Sequence, residues 1–178
     1  MMYLKHPAMR AMLLAGICAL AGGKPVMAAN VPASETASKA LKTIPEADVS
    51  LKKVQEIFDA AYLKTEIDKD GDLKIDDDGV KTFVRVDPAR KLITFFSAWG
   101  FKASSPEVKK LQLLNKLNNE VIFVRFSMPQ PATLWCDYQF LYDGGMTPHT
   151  LISNYKQFVR VASSAVSSKD PESLIGSD

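Results

Sequence analysis

Cysteine and histidine are scarce in this chain, which has only two of each among 178 residues. Cys18 and His6 lie in a segment that we expect to be removed, so that Cys136 and His149 each remain alone. One cysteine cannot form an internal disulfide bond, and one histidine is too few for a Cys/His metal site. The sequence therefore predicts a fold that is stabilised by a packed core.

A long hydrophobic run is also missing. The apolar stretch from Ala11 to Gly22 is shorter than the roughly 20 residues that a membrane-spanning helix needs. It lies between a basic segment, residues 1–10, and the small-residue sequence Val26-Met27-Ala28. This order is typical of a secretory signal peptide. We predict a signal peptide over residues 1–28, cleavage near Ala28, and a periplasmic or secreted protein without a membrane anchor.

A lipid anchor is the alternative interpretation of the same segment. The sequence Leu14-Ala15-Gly16-Ile17-Cys18 is similar to a lipid-attachment site. Ile17, however, is bulkier than the Gly or Ala that directly precedes the cysteine in such sites. We therefore rank lipidation of Cys18 second.

Charge of one sign does not dominate the chain. Of the 22 basic residues, Lys5, Arg10 and Lys24 precede the predicted cleavage site, which leaves 19 against 20 acidic residues. The remaining part has no run of Lys or Arg. Nucleic acid and anionic membranes are therefore disfavoured as partners, because both attract concentrated positive charge.

Composition divides the remaining chain into three parts. Residues 29–47 are rich in Ala, Ser, Thr and Pro and are predicted to be a flexible linker, and the polar residues 168–178 are predicted to be a disordered tail. The segment between them, residues 48–167, is long enough for one folded domain with a core.

Hydrophobic periodicity predicts an α+β domain with three helices and an antiparallel five-stranded sheet, in the order α-β-β-β-α-β-β-α. The helices are expected to begin behind the caps Ser50, Ser105 and Thr147. The strands are expected at Leu73–Ile75, Thr82–Val86, Leu92–Trp99, Val121–Met128 and Thr133–Tyr142. The first three strands are predicted to form a meander.

Several motifs are similar to those of a known family. They are DGDLKID (Asp70–Asp76), TFVRVDP, LNKLNNE (Leu114–Glu120) and GGMTPHTLISNYKQF (Gly144–Phe158). Between about Asp48 and Val166 the chain resembles the YbjN-type domain, whose members are described as "putative bacterial sensory transduction regulators". The resemblance implies a fold similar to the small dimeric chaperones of type III secretion, with no known catalytic residues.

The acidic stretch from Asp68 to Asp78 is a candidate calcium site, because its carboxylates alternate as they do in a calcium loop. An EF-hand frame that begins at Asp68 places Leu73 at the turn glycine and Gly79 at the bidentate glutamate. We therefore interpret the stretch as two solvated acidic turns and predict no metal site.

Other polar residues also have structural interpretations. Asn115, Asn118 and Asn119 share one helical face, but asparagines near a helix end favour its termination. Gly144 and Gly145 precede a helix N-terminus, which can bind an anion, although a simple turn is the better interpretation. Cys136 alternates with apolar residues and is predicted to be a buried packing residue without reactivity.

Apolar residues occur on both faces of the predicted strands. On the predicted strand Leu92–Trp99, for example, Phe95 and Phe96 point to opposite sides of the sheet. A sheet with water on one side alternates apolar with polar residues. We therefore predict that the second face is covered through self-association as a homodimer.

The sequence supports three functional hypotheses. The first is an exported, non-enzymatic binding or regulatory module of the YbjN type, with no cofactor and with an unidentified protein partner. The second is a chaperone-like protein that holds another polypeptide. The third is an unrecognised hydrolase that uses Asp, Glu or Tyr. No catalytic residue is assigned, because His149 and Cys136 form no recognisable nucleophile motif.

Overall fold

The computed structural model describes residues 42–77 and 79–176. This part of the chain contains three helices and six strands, preceded by one 3-10 turn at Glu46–Asp48. The helices are α1 (Leu51–Ala60), α2 (Glu107–Glu120) and α3 (Pro148–Lys169). The strands are β1 (Thr65–Ile67), β2 (Leu73–Asp77), β3 (Val80–Asp87), β4 (Leu92–Gly100), β5 (Arg125–Gln130) and β6 (Thr133–Leu141).

All six strands form one antiparallel sheet in the order β1-β2-β3-β4-β6-β5. The α+β class, the three helices, the antiparallel sheet and the β2-β3-β4 meander are confirmed. The prediction of five strands is wrong, because β1 precedes β2 at the sheet edge. β1 has only three residues, Thr-Glu-Ile, which is too short for a period of two to be recognised.

Strand β6 lies inside the sheet, where it pairs with β4 along nine residues from Leu92↔Leu141 to Gly100↔Thr133. Strand β5 pairs only with β6 and forms the second edge. It begins at Arg125 rather than at the predicted Val121, since Phe123 has a φ of 85° that an extended strand does not allow. β6 therefore lies between β4 and the edge strand β5.

The core lies between the sheet and the helices. Phe95 of β4 is fully buried, and its ring centroid lies 6.5 Å from that of Phe58 in α1 and 6.0 Å and 6.1 Å from those of Tyr155 and Phe158 in α3. Helix α2 contacts α3 and β5. The helices therefore cover the sheet face to which Phe95 points.

Two of the three predicted helix caps are confirmed. The hydroxyl oxygens of Ser50 and Thr147 accept hydrogen bonds from the N–H groups of Lys53 and Thr150, at 3.2 Å and 3.0 Å. The cap predicted at Ser105 is wrong. Its hydroxyl donates to the carbonyl oxygen of Leu174 at 3.2 Å, so it binds the C-terminal segment rather than α2.

Both ends of the described chain pack on the domain, which differs from the predicted linker and tail. Ile44 exchanges two backbone hydrogen bonds with Met146, at 2.7 Å and 3.0 Å. At the other end α3 extends to Lys169, Leu174 is buried, and Ile175 pairs with Phe101. The two segments are mainly polar in sequence, but each contains an apolar residue that is buried in the domain, Ile44 in the first and Leu174 in the second. These buried residues explain why the segments pack on the domain. The predicted signal peptide and residues 29–41, 177 and 178 lie outside the described residues.

None of the described helices is both long enough and apolar enough to cross a membrane.

Candidate protein-binding face

The two faces of the sheet have different surroundings. Successive side chains of a strand point to opposite faces, so Phe96 lies on the face opposite Phe95. Phe96 is buried but does not belong to the core beneath the helices. We call this second surface the open face. The strand register assigns to it, among others, Lys74, Asp76, Lys81, Phe83, Arg85, Leu92, Thr94, Phe96, Ala98, Arg125, Ser127, Trp135, Asp137, Gln139 and Leu141.

An aromatic stack occupies the centre of the open face. Phe96 lies between Phe83 of β3 and Trp135 of β6, with ring centroids 5.3 Å and 4.5 Å apart and interplanar angles of 17° and 15°. Because the two neighbours cover both of its ring faces, Phe96 is only 5% exposed. Phe83 and Trp135 are half-buried. The stack is therefore already packed before any partner binds.

Arg85 borders the stack on one side. Its Nε donates to Oδ1 of Asp72 at 2.8 Å, its Nη2 donates to Oδ2 at 2.5 Å, and its guanidinium carbon lies 5.3 Å from the ring centroid of Phe96. The hydrogen bonds to Asp72 raise the pKa of Arg85. Asp72 is 4% exposed, whereas the Arg85 side chain is 57% exposed. A buried carboxylate thus holds an accessible arginine in one orientation.

Arg125 repeats this arrangement at the β5 edge. Its Nε and Nη2 donate to the carboxylate of Asp137 at 3.0 Å to 3.1 Å. Asp137 is 4% exposed, and the side chain of Arg125 is 68% exposed. Each arginine on this face is therefore neutralised by its own aspartate while it still presents a planar donor group to the outside.

The open face contains residue types that are common in protein interfaces. Aromatic residues and arginine are enriched at the centre of such interfaces, where packing is tight. A single-stranded nucleic acid needs exposed ring faces for base stacking and an excess of positive charge. The open face has its central ring covered on both faces and its arginines neutralised, so its geometry favours a protein.

The acidic stretch contributes to this face in a way that the sequence did not indicate. Oδ1 of Asp68 accepts hydrogen bonds from the N–H groups of Asp70 and Asp72, both at 2.9 Å, and this closes the turn. The interpretation as solvated turns is wrong for Asp72, which is buried beneath Arg85. Asp78 lies outside the described residues. Within residues 42–77 and 79–176, no group of three His, Cys, Asp or Glu side chains could hold a metal ion.

Asn118 has the structural role predicted for the asparagine cluster, but by another mechanism. Its amide donates to the carbonyl oxygen of Phe126 and accepts from the N–H group of Phe126, both at 2.9 Å. It therefore satisfies both backbone groups of an edge residue in β5. The helix does not end in a left-handed residue, since Val121 has a φ of −107°. Asn115 and Asn119 are exposed.

The two adjacent glycines form a turn, as predicted, in which Gly145 donates its N–H group to the carbonyl oxygen of Tyr142 at 2.8 Å and Gly144 binds a carboxylate of the chain itself. The N–H group of Gly144 donates to Oε2 of Glu46 at 3.1 Å, and Lys91 Nζ lies 2.9 Å from Oε1 of Glu46. The hydrogen bond from Gly144, followed by that from Lys91, lowers the pKa of Glu46. This turn therefore anchors the N-terminal segment of the domain.

Cys136 is fully buried in the core, as predicted. Burial, with a smaller contribution from Asp137, raises the pKa of its thiol. The thiolate is the reactive form. We therefore expect a thiol reagent to leave Cys136 unmodified in native protein at neutral pH and to label it fully in denaturant. Rapid labelling without denaturant would contradict its burial.

His149 lies in the first turn of α3, and its side chain is exposed, with Nε2 3.5 Å from Oγ of Ser153.

Comparison with known proteins identifies the family. The sequence pattern of the YbjN family, described as "Putative bacterial sensory transduction regulator", matches residues 50–168. No curated protein matches the chain.

Solved structures that match the chain include two of different proteins. The first is "YbjN, a putative transcription regulator from E. coli", which is 13% identical, with 72% of this chain and 96% of that chain covered and a TM-score of 0.61. The second is the Yersinia pestis type III secretion chaperone SycH in complex with a fragment of YscM2. It is 13% identical, with 66% of this chain and 97% of that chain covered and a TM-score of 0.44. The family pattern spans more than half of the chain, and the protein therefore belongs to the YbjN family.

Proposed function

We propose that the protein is a binding and regulatory module without catalytic activity and that its open face docks a protein partner. One observation carries the proposal. The stack of Phe83, Phe96 and Trp135 lies at the centre of the sheet face opposite the helices, and Arg85 and Arg125 are held beside it by buried carboxylates. Side chains that are fixed before docking lose little conformational freedom on binding. The membership in a family described as regulators agrees with this function.

A second copy of the chain is the first partner that we propose for the open face. The two arginines add no net charge to this face, because Asp72 and Asp137 neutralise them, and this reduces the repulsion between two such faces. A twofold axis would pair each stack with its equivalent and remove both from water. Light scattering coupled to size exclusion at micromolar concentration measures this directly, since a homodimer has twice the mass of the chain.

The alternative is that the open face holds a different polypeptide, as a chaperone does. Affinity capture from the exported protein fraction, followed by mass spectrometry, separates the two cases. A monomeric mass together with a captured protein favours the chaperone-like function. A monomer that captures no protein would contradict the docking proposal itself.

We also propose that the protein acts outside the cytoplasm. The support is the order of basic, apolar and small residues in residues 1–28. We expect the intact mass of the exported protein to be that of a chain that begins at Ala29. Retention of the leader, or a diacylglyceryl group on Cys18, would contradict the proposal of a soluble exported protein.

A further inference from the structure

A groove on the helical side of the domain has the size of a small-molecule site. Its volume is about 790 Å³, within the range of roughly 300–1,000 Å³ that is usual for ligand pockets. Three walls enclose it: the segment that leads into α1, the outer side of α1, and the first two turns of α3. No residue of the open face contributes to it.

The lining is predominantly apolar. Ile57 and Ala60 supply the wall from α1, Ile152 supplies the wall from α3, and Ile44 supplies the third wall. Two small residues, Ala60 at the end of α1 and its C-cap Ala61, also line the groove. The hydrogen bonds between Ile44 and Met146 fix the third wall, so the groove is preformed.

The charges at the rim favour an anion. Three lysines line the groove against one aspartate and one glutamate, which leaves an excess of one positive charge. Lys53 is paired with Glu56. Lys42 and Lys156 have no ion-pair partner among residues 42–77 and 79–176. A long lysine side chain can lie along an apolar wall while its ammonium group stays at the rim.

We propose that this groove binds a free medium-chain fatty acid, with the alkyl chain against Ile57, Ala60 and Ile152 and the carboxylate at Lys42 and Lys156. The apolar walls match the chain, and the two lysines match the single negative charge at its end. A cationic amphiphile of the same length has the same alkyl chain, but its positive headgroup meets a rim that is also positive.

Titration calorimetry of the protein as isolated from cells tests the site, with dodecanoate below its micelle concentration as the probe. We expect saturable binding with one dodecanoate per chain. We expect dodecyltrimethylammonium to bind at least about fivefold more weakly, because it replaces the attraction at the rim with repulsion. Saturable binding of both amphiphiles with equal affinity would overturn the assignment of the carboxylate to the lysines.

Two variants and one control locate the ligand. Ala60→Phe places a large side chain on an exposed position of the groove wall and should weaken dodecanoate binding at least about tenfold. Lys156→Glu should weaken it about two- to fivefold, the range of an exposed ion pair. Gln112→Phe places the same side chain on the exposed side of α2 and should leave binding unchanged. Absence of saturable binding, or full affinity in Ala60→Phe, would overturn the proposal.

Discussion

Gly145→Ala is expected to lower the free energy of unfolding by about 2–5 kcal/mol. This range is the sum of two costs, the strain of the backbone and a steric overlap. Gly145 has a φ of 107°, and an added Cβ would lie 2.4 Å from the carbonyl oxygen of Ile44. Relief requires the segment at Ile44 to move away, and the two hydrogen bonds to Met146 oppose this movement. Urea unfolding followed by circular dichroism measures the change.

Gly144→Ala is the matched control. Gly144 also has a positive φ, 77°, but no atom lies within 4 Å of the position of an added Cβ. Its N–H group stays available to Glu46. This variant should lose only about 1–2 kcal/mol, the cost of a left-handed conformation for an L-residue. Equal losses in the two variants would contradict the close approach of the N-terminal segment.

Trp135→Ala is expected to weaken binding of a protein at the open face at least about 30-fold, as for an interface hot spot that contributes about 2 kcal/mol or more. Trp135 covers one ring face of Phe96, at 4.5 Å, so its loss also removes the packing of the central ring. The side chain lies outside the core beneath the helices, and the fold should persist.

The dissociation constant is measured by sedimentation equilibrium for self-association, or by surface binding for a captured partner. Val108→Ala is the control, because Val108 is an exposed apolar residue of α2, 59% exposed, away from the open face. Unchanged affinity in Trp135→Ala, or an equal loss in Val108→Ala, would contradict the assignment of the interface to this face.

The periodicity of the hydrophobic residues and the helix-capping residues were sufficient to predict most of the fold. Hydrophobic periodicity predicted α3, and Ser50 and Thr147 marked two helix starts correctly. β1 was missed because its three residues form a strand only through their pairing with β2. The hydrophobic pattern of three residues gives no information about such a pairing. Ser105 was misassigned because its partner, Leu174, is distant in sequence and close only in the folded chain.

The candidate site was predicted only in part. The presence of apolar residues on both sides of the long strands indicated a second face that contains Phe96 and Trp135. The pairs of Asp72 with Arg85 and of Asp137 with Arg125 were not predicted, because each forms between different strands or turns. Strand order decides which residues meet, and β6 rather than β5 lies beside β4.

Site-specific photo-crosslinking in cells tests the docking of a protein at the open face most directly. A photoreactive phenylalanine analogue at Phe83, which borders the stack, is compared with the same analogue at Gln112 on α2. We predict a defined protein adduct from position 83, either a second copy or another polypeptide, and none from position 112. No adduct from position 83, or the same adduct from both positions, would contradict the account.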